Sequence, residues 1–150
     1  MSNPTFRSGP ISYRAEEDVT KFRLVEVGEN GVKHATAAGP VFGAVTENAA
    51  APKDEQPTNT LALGAPGIVA VHIGPATVPL EVDGDAAEIK QGDPVYAAAD
   101  GKVSASGSLL VGVAARPGAG KTVKTTLVTP VVAPAGDPAG DPAGDPASEG

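Results

Sequence analysis

Apolar and polar positions alternate over short stretches through the middle of the chain. From residue 19 to about residue 130, runs rich in Val, Ile and Thr are separated by Gly, Pro, Asn and Asp. Helical spacing of apolar residues is hard to find there, and the pattern is typical of short strands joined by turns. We therefore predict strands in the segments KFRLVEV, GVKHAT, PVFGAVT, NTLALG, GIVAVHI, TVPLEV, DPVYAA, KVSAS, SLLVGVAA and TVKTTLVT.

The turns between these segments carry their own signals. Asn30-Gly31 and Asp100-Gly101 predict hairpins, because such pairs tolerate the positive φ angles of a type I′ turn. The stretch DGD at 83–85 is a third candidate, and DAAEIKQG could hold one helical turn. Many short strands with regular turns indicate an all-β fold, a compact β-sandwich or a β-barrel-like domain.

A weak internal repeat runs through the same region. The stretch VEVGENGVKHATAAGPVFGAV from Val25 is similar to VYAAADGKVSASGSLLVGVA from Val95. Gly31 aligns with Gly101, and Gly43 aligns with Gly112 after one residue of slippage. Both stretches are low in complexity, so a duplicated hairpin unit and a chance match are both open interpretations.

The amino-terminal segment, residues 1–18, is expected to be an extended arm. Pro4 and Pro10 discourage regular structure there. Aromatic and arginine side chains often anchor interfaces, so the arm is either a partner-binding segment or an unstructured terminus. Its candidate contact residues are Phe6, Arg7, Tyr13 and Arg14.

The carboxyl-terminal segment, residues 131–150, is expected to be a disordered tail. From position 134 the sequence repeats Pro-Ala-Gly-Asp and has no apolar face at either the helix or the strand period. Nothing there repays the entropy lost on ordering. Calcium binding by the repeated Asp side chains is disfavoured, because no preorganised carbonyl groups accompany them.

Composition and charge narrow the possible partners. The chain has 150 residues, a net charge of −7, no Cys and only 3% aromatic residues. The negative charge disfavours nucleic acid and anionic membranes as partners, and no secretory leader or membrane helix is expected. The apolar residues are largely Ala and Val, which bury little area each. We therefore expect modest stability and support from an assembly.

The stretch RPGAGKT at 116–122 resembles a phosphate-binding loop but departs from that motif. The first glycine of the motif would fall at position 115, which is Ala115. The segment after Thr122 is β-branched, so we predict a strand there and no helix amino terminus to hold phosphate. The stretch is interpreted as a turn between two strands, with Pro117, Gly118 and Gly120 setting its backbone.

No other residues form a recognisable catalytic, cofactor or metal site. His34 and His72 are the two histidines, and they lack further ligands at close spacing. The acidic residues between 81 and 93 are better explained as solvated turns than as a pair of catalytic carboxylates. We therefore expect a protein that is not an enzyme and that uses no cofactor.

The middle of the chain resembles the small capsid cement, or head decoration, proteins of tailed phages. The resemblance covers about residues 19–129 and includes neither the arm nor the tail. The matching elements are GAV at 43–45, GDPVY at 92–96, GKV at 101–103, GVA at 112–114 and, after a loop of small residues, the strand VKTTL at 123–127.

This resemblance implies a β-rich structural protein of the virion, made in the host cytoplasm. Such a protein would bind the major capsid protein on the outer surface of the head, as a homotrimer at three-fold and quasi-three-fold positions, and would stabilise the head. Phe6, Arg7, Tyr13 and Arg14 would supply capsid or inter-subunit contacts, and the tail would point outward. The alternative is a virion or cell-surface β-domain for host or carbohydrate adhesion.

Overall fold

The computed structural model describes residues 9–51 and 66–132 of the chain. Its regular structure is β except for two single 3₁₀ turns, at Ala86–Glu88 and Ala99–Gly101, so the all-β prediction is confirmed. The strands are β1 (Ile11–Arg14), β2 (Arg23–Val27), β3 (Val32–His34), β4 (Gly43–Val45), β5 (Ile68–His72), β6 (Thr77–Glu81), β7 (Pro94–Ala97), β8 (Val103–Ser104), β9 (Leu110–Ala114) and β10 (Thr122–Leu127).

The strands form two five-stranded antiparallel sheets with the same topology. The first sheet has the order β1-β5-β4-β2-β3, and the second has the order β6-β10-β9-β7-β8. Each strand of the first sheet therefore corresponds to the strand five places later in the chain. Val25 pairs with Gly43 in the first sheet, and Val95 pairs with Gly112 in the second. The repeat seen in the sequence is thus a duplicated structural unit.

Each sheet curls until its two edges meet. The chain leaving β1 forms a parallel bridge between Ala15 and Val32 of the opposite edge strand, and the chain leaving β6 forms the same bridge between Val82 and Val103. The next N–H group in each unit donates to that edge strand, at 2.8 Å from Glu16 to the Val32 carbonyl. Joining the two edges satisfies backbone groups that an open sheet would leave unpaired.

The two aligned glycines, Gly43 and Gly112, occupy the same place in the two units. A Cβ atom on Gly43 would overlap the backbone carbonyl of His72 in β5. A Cβ atom on Gly112 would overlap the backbone carbonyl of Thr126 in β10. Close approach of two strands therefore explains why glycine recurs at this position.

The predicted hairpin turns at Asn30-Gly31 and Asp100-Gly101 are confirmed. The first connects β2 to β3, and the Gly28 N–H donates to the Gly31 carbonyl at 2.8 Å. The second connects β7 to β8 with positive φ angles of 54° at Asp100 and 72° at Gly101.

The DGD stretch makes a different connection. It joins β6 to the 3₁₀ turn at Ala86–Glu88, which is the helical turn predicted in DAAEIKQG. The Asp85 carboxylate accepts a hydrogen bond from the Ala87 N–H and so caps this turn. The chain therefore continues away from β6, and no hairpin forms here.

Apolar side chains form two clusters of unequal size. The smaller one lies within the first sheet and contains Val25, Val45 and Val71. The larger one fills the second sheet and also takes in Leu24 and Ala44 from the first sheet. The second cluster therefore joins the two sheets.

From residue 9 onward, the segment expected to be a separate extended arm belongs to the first sheet. Residues 11–14 form β1, which pairs with β5 along its whole length, and Ala15 and Val19 are buried in the first cluster. The expected boundary at residue 18 is therefore corrected, because apolar burial and strand pairing bind this stretch to the sheet. Residues 1–8, the NTLALG segment and the tail from residue 133 lie outside the described residues, and Val131 pairs with Val41.

Candidate interaction surface

The four predicted contact residues divide into three groups. Phe6 and Arg7 lie outside the described residues. Tyr13 is partly buried, and its ring packs edge-on against Phe42, with 5.5 Å between centroids and 84° between planes. Tyr13 therefore helps to hold β1 on the first sheet. Arg14, the next residue, is exposed.

Arg14 lies beside an exposed apolar side chain. It pairs across the strands with Ile68 of β5, and Ile68 is 60% exposed. A guanidinium next to an exposed isoleucine combines charge with apolar area, which is a common composition for an interface. We call Arg14 and Ile68 the β1–β5 patch.

The contact between the two sheets combines an ion pair with backbone hydrogen bonds. Glu81 of β6 accepts from the Arg23 Nε atom at 3.1 Å, and the Lys102 Nζ atom lies 3.8 Å from its other oxygen. The Glu81 N–H also donates to the Phe22 carbonyl at 2.7 Å. Nearby, the Gly101 N–H donates to the Ala35 carbonyl at 2.8 Å. These bonds fix the second unit against β2 of the first.

Corresponding outward rows of the two sheets differ in exposure. In the first sheet, Leu24 of β2 pairs with Ala44 of β4, and both are fully buried within the larger cluster that the second sheet fills. In the second sheet, the corresponding pair is Pro94 and Val113. Pro94 is exposed and Val113 is 41% exposed. The position covered in the first unit is uncovered in the second.

Further apolar side chains lie on the same side of the second sheet as Val113. Leu110 lies opposite Tyr96, and both Leu110 and Val128 are large exposed apolar residues. We call the exposed residues Pro94, Leu110, Val113 and Val128 the outer face of the second sheet. We did not predict this face. Its signal was the unbroken apolar run SLLVGVAA, because a strand with one solvated face alternates apolar and polar residues.

The RPGAGKT stretch forms the predicted turn between strands. It connects β9 to β10, and Ala119 and Thr122 bond to each other's backbone in both directions. The Gly118 N–H donates to the Ile89 carbonyl at 2.9 Å, and a Cβ on Gly118 would overlap the carbonyl of Ala86. These N–H groups already have partners, and a strand follows Lys121. The geometry is that of a packed loop and differs from a phosphate cradle.

The two histidines lie apart on the first sheet. The Nε2 atom of His34 accepts from the Thr20 N–H at 3.0 Å, and its Nδ1 atom lies 3.4 Å from the Glu17 carboxylate. Burial lowers the pKa of His34, and the nearby Glu17 charge opposes that shift without cancelling it. His72 lies 3.3 Å from the Thr46 hydroxyl through its Nε2 atom. Both rings therefore have structural contacts.

The acidic residues between positions 81 and 93 have separate structural partners. Glu81 bonds to Arg23, Asp85 caps a 3₁₀ turn, and the Asp93 carboxylate accepts from the Lys90 N–H at 2.9 Å. Within residues 9–51 and 66–132, no three His, Cys, Asp or Glu side chains come together as metal ligands would. The same residues include no helix that is long and apolar enough to span a membrane.

Comparison with known proteins yields a likeness in fold. No protein-family model and no curated protein matches the chain. Among solved structures, the base of the head fiber protein gp8.5 of bacteriophage phi29 superposes with a TM-score of 0.54 at 17% sequence identity. The match covers 82% of this chain and 95% of the phage chain. At this identity the two chains are shown to share a fold.

Proposed function

We propose that this chain is a structural protein of a phage head. The observation that carries the proposal is the fold likeness to a head fiber base, which spans nearly the whole of that phage chain. The resemblance of residues 19–129 to capsid cement proteins supports the same assignment independently. In this proposal the chain acts by binding other proteins and is not an enzyme.

In this proposal the major capsid protein and further copies of this chain are the partners. The protein binds the outer surface of the capsid as a homotrimer, at three-fold and quasi-three-fold positions, and stabilises the head. Weak contacts repeated over a shell add up, because linked sites raise the effective concentration of each further contact. A net charge of −7 favours solubility.

Adhesion to a host or carbohydrate is the less favoured function. Such binding commonly uses exposed aromatic rings, and the aromatic residues within the described ranges, Tyr13, Phe22, Phe42 and Tyr96, are each partly buried. The ring of Tyr13 is committed to Phe42. No described residue favours adhesion over capsid binding.

The deciding experiment is electron microscopy of heads with and without the protein. Purified full chain added to undecorated heads should produce extra density on the outer surface at three-fold and quasi-three-fold positions. Decorated heads should also release their DNA at a higher temperature than undecorated heads. Absence of added density would overturn the proposal.

The amino-terminal segment is best tested by a short deletion. Removing residues 1–14 would delete β1, whose loss would expose the first apolar cluster. Removing residues 1–8 keeps β1 and takes away Phe6 and Arg7. We expect this shorter variant to stay folded by circular dichroism and to lose head binding, and the double substitution Phe6→Ala with Arg7→Ala to do the same. Normal decoration by both would contradict a capsid role for this segment.

A further inference from the structure

We infer that the outer face of the second sheet binds the β1–β5 patch of another copy of this chain, head to tail. The inference rests on the proposed function only for its biological setting, since self-association can be measured on the free protein. It identifies the surfaces that would join the copies of the proposed trimer.

Within a single chain, the corresponding face of the first sheet is covered by the second unit. In the first sheet the outward pair Leu24 and Ala44 is buried in a cluster that is mainly made of second-sheet residues. The corresponding pair in the second sheet, Pro94 and Val113, has no such cover among the described residues. Another unit of the same fold would fit there as the second unit fits the first.

The ion pair between the units provides an independent indication. Within the chain, Arg23 of the first unit binds Glu81 of the second at 3.1 Å. Arg23 pairs with Val45, and Asp93 bonds in the same way to Ala114, so Asp93 corresponds to Arg23. Arg23 of the first unit and Asp93 of the second unit therefore carry opposite charges at corresponding positions.

The residue that corresponds to Glu81, the partner of Arg23, also carries the opposite charge. Glu81 is the last residue of β6 and precedes the bridge at Val82, and Arg14 is the last residue of β1 and precedes the bridge at Ala15. Arg14 therefore corresponds to Glu81. Where the chain has Arg23 against Glu81, a following copy would place its Arg14 against Asp93. The pair is reversed in sign and remains complementary.

The apolar parts of the two surfaces also complement each other. The β1–β5 patch offers Ile68, 60% exposed, beside Arg14, and the opposite surface offers Val113 and Leu110 near Asp93. The two surfaces lie on different sheets, so the contact is heterologous. A heterologous contact forms a closed ring when its rotation closes, which a trimer would satisfy.

Chemical cross-linking of the full chain tests the pairing directly. The sequence has no Cys, so Arg14→Cys and Val113→Cys each introduce a single reactive thiol. Mixed in equal amounts with different tags and treated with a bismaleimide, they should give a dimer that carries both tags. Each variant alone should give little dimer. A Val113→Cys variant that cross-links mainly to itself would overturn the head-to-tail contact.

Charge substitutions give a second, quantitative test. Asp93→Asn keeps an acceptor for the Lys90 N–H while it removes the charge, and Arg14→Gln removes the opposite charge. In sedimentation equilibrium each single variant should weaken self-association several-fold, and the double variant should be little worse than either single one. Additive losses would overturn the Arg14–Asp93 pair.

A charge placed on the outer face of the second sheet gives a third test, again by sedimentation equilibrium. Val113→Glu should give a monomer. Val132→Glu, at another exposed valine, is the control and should self-associate as the original chain does. A chain that is monomeric at all soluble concentrations and does not cross-link on heads overturns this inference. If that chain still decorates heads, the proposed function stands. If the chain self-associates through these surfaces but does not bind heads, this inference stands and the proposed function is overturned.

Discussion

Ala44 and Val113 occupy corresponding positions in the two sheets and have opposite environments. Ala44 is fully buried in the larger apolar cluster, and Val113 is 41% exposed. Strand pairing is the same around both residues. Ala44 lies on β4 between β2 and β5, and Val113 lies on β9 between the corresponding strands β7 and β10. The difference comes from what covers each sheet. A duplicated fold thus produces one internal interface and one free copy of the same surface.

The largest expected difference comes from placing a charge at the two positions. Ala44→Glu would bury a carboxylate in an apolar cluster, and we expect it to lower the free energy of unfolding by about 3 kcal/mol or more. Val113→Glu meets solvent in the isolated subunit and should change it by about 0.5 kcal/mol or less. Urea unfolding of monomeric samples, followed by circular dichroism, measures both. Equal losses would contradict the assigned difference in cover.

The two close-approach glycines should respond alike. Gly43→Ala and Gly112→Ala each place a Cβ against a backbone carbonyl of the neighbouring strand, and overpacking of this kind costs about 1–3 kcal/mol. We expect similar losses in urea unfolding, because the two sites are structurally equivalent. Gly67→Ala is the control, since the nearest atom to its added Cβ lies at 3.9 Å. A harmless Gly43→Ala would contradict the strand spacing.

The ion pair between the sheets should have a smaller effect. Glu81→Gln removes the charge that faces Arg23 and Lys102, whose side chains are only partly exposed. We expect a loss of about 1 kcal/mol, because partial burial strengthens the pair beyond a surface ion pair while water still screens it. Urea unfolding measures the loss, and Glu88→Gln on the exposed 3₁₀ turn is the control. Equal losses in the two variants would show that Glu81 does not join the sheets.

The smallest expected effect is a pH dependence confined to the first sheet. Burial lowers the pKa of His34 in the folded protein, so the unfolded chain binds a proton more readily. The contribution of neutral His34 to the free energy of unfolding should therefore be fully present above the pKa of the unfolded chain, about 6.5. It should fall as the pH drops from there through the lowered pKa of the folded protein. Protonation would also remove the acceptor for the Thr20 N–H.

Comparison of the original chain with His34→Gln isolates this contribution. Unfolding free energies measured between neutral pH and pH 5 should diverge from those of the variant as the pH falls. Parallel pH profiles for the two proteins would contradict a neutral, partly buried His34. His72→Gln is the control on the same sheet.

Much of the fold followed from local sequence. Every predicted strand segment within the described residues contains a strand, because each carried β-branched residues between turn signals. The two hairpins followed from Asn-Gly and Asp-Gly pairs, and the turn at RPGAGKT followed from the strand sequence after it. β1 was missed because ISYR is short, follows two prolines and is classified by its pairing with β5, which is distant in sequence.

The candidate surface was less accessible to sequence reasoning. Arg14 was selected by residue type, and the structure shows it exposed beside Ile68. Tyr13 was selected on the same grounds, yet its ring packs against Phe42 within the first sheet. The segment SLLVGVAA that contains Leu110 and Val113 was predicted only as a strand, because an apolar run does not state which side of a sheet is covered.

The amino-acid sequence by itself determined the β class, the two hairpin turns at Asn30-Gly31 and Asp100-Gly101 and the repeated glycines, since each depends on backbone preferences within a few residues. Only the tertiary structure decided that the repeat is two curled sheets, that β1 belongs to the first, and that one sheet covers the other. Those facts depend on pairings between residues far apart in the chain, such as Ala15 with Val32 and Arg23 with Glu81. Burial is a property of such pairings, and equivalent positions can therefore differ in it.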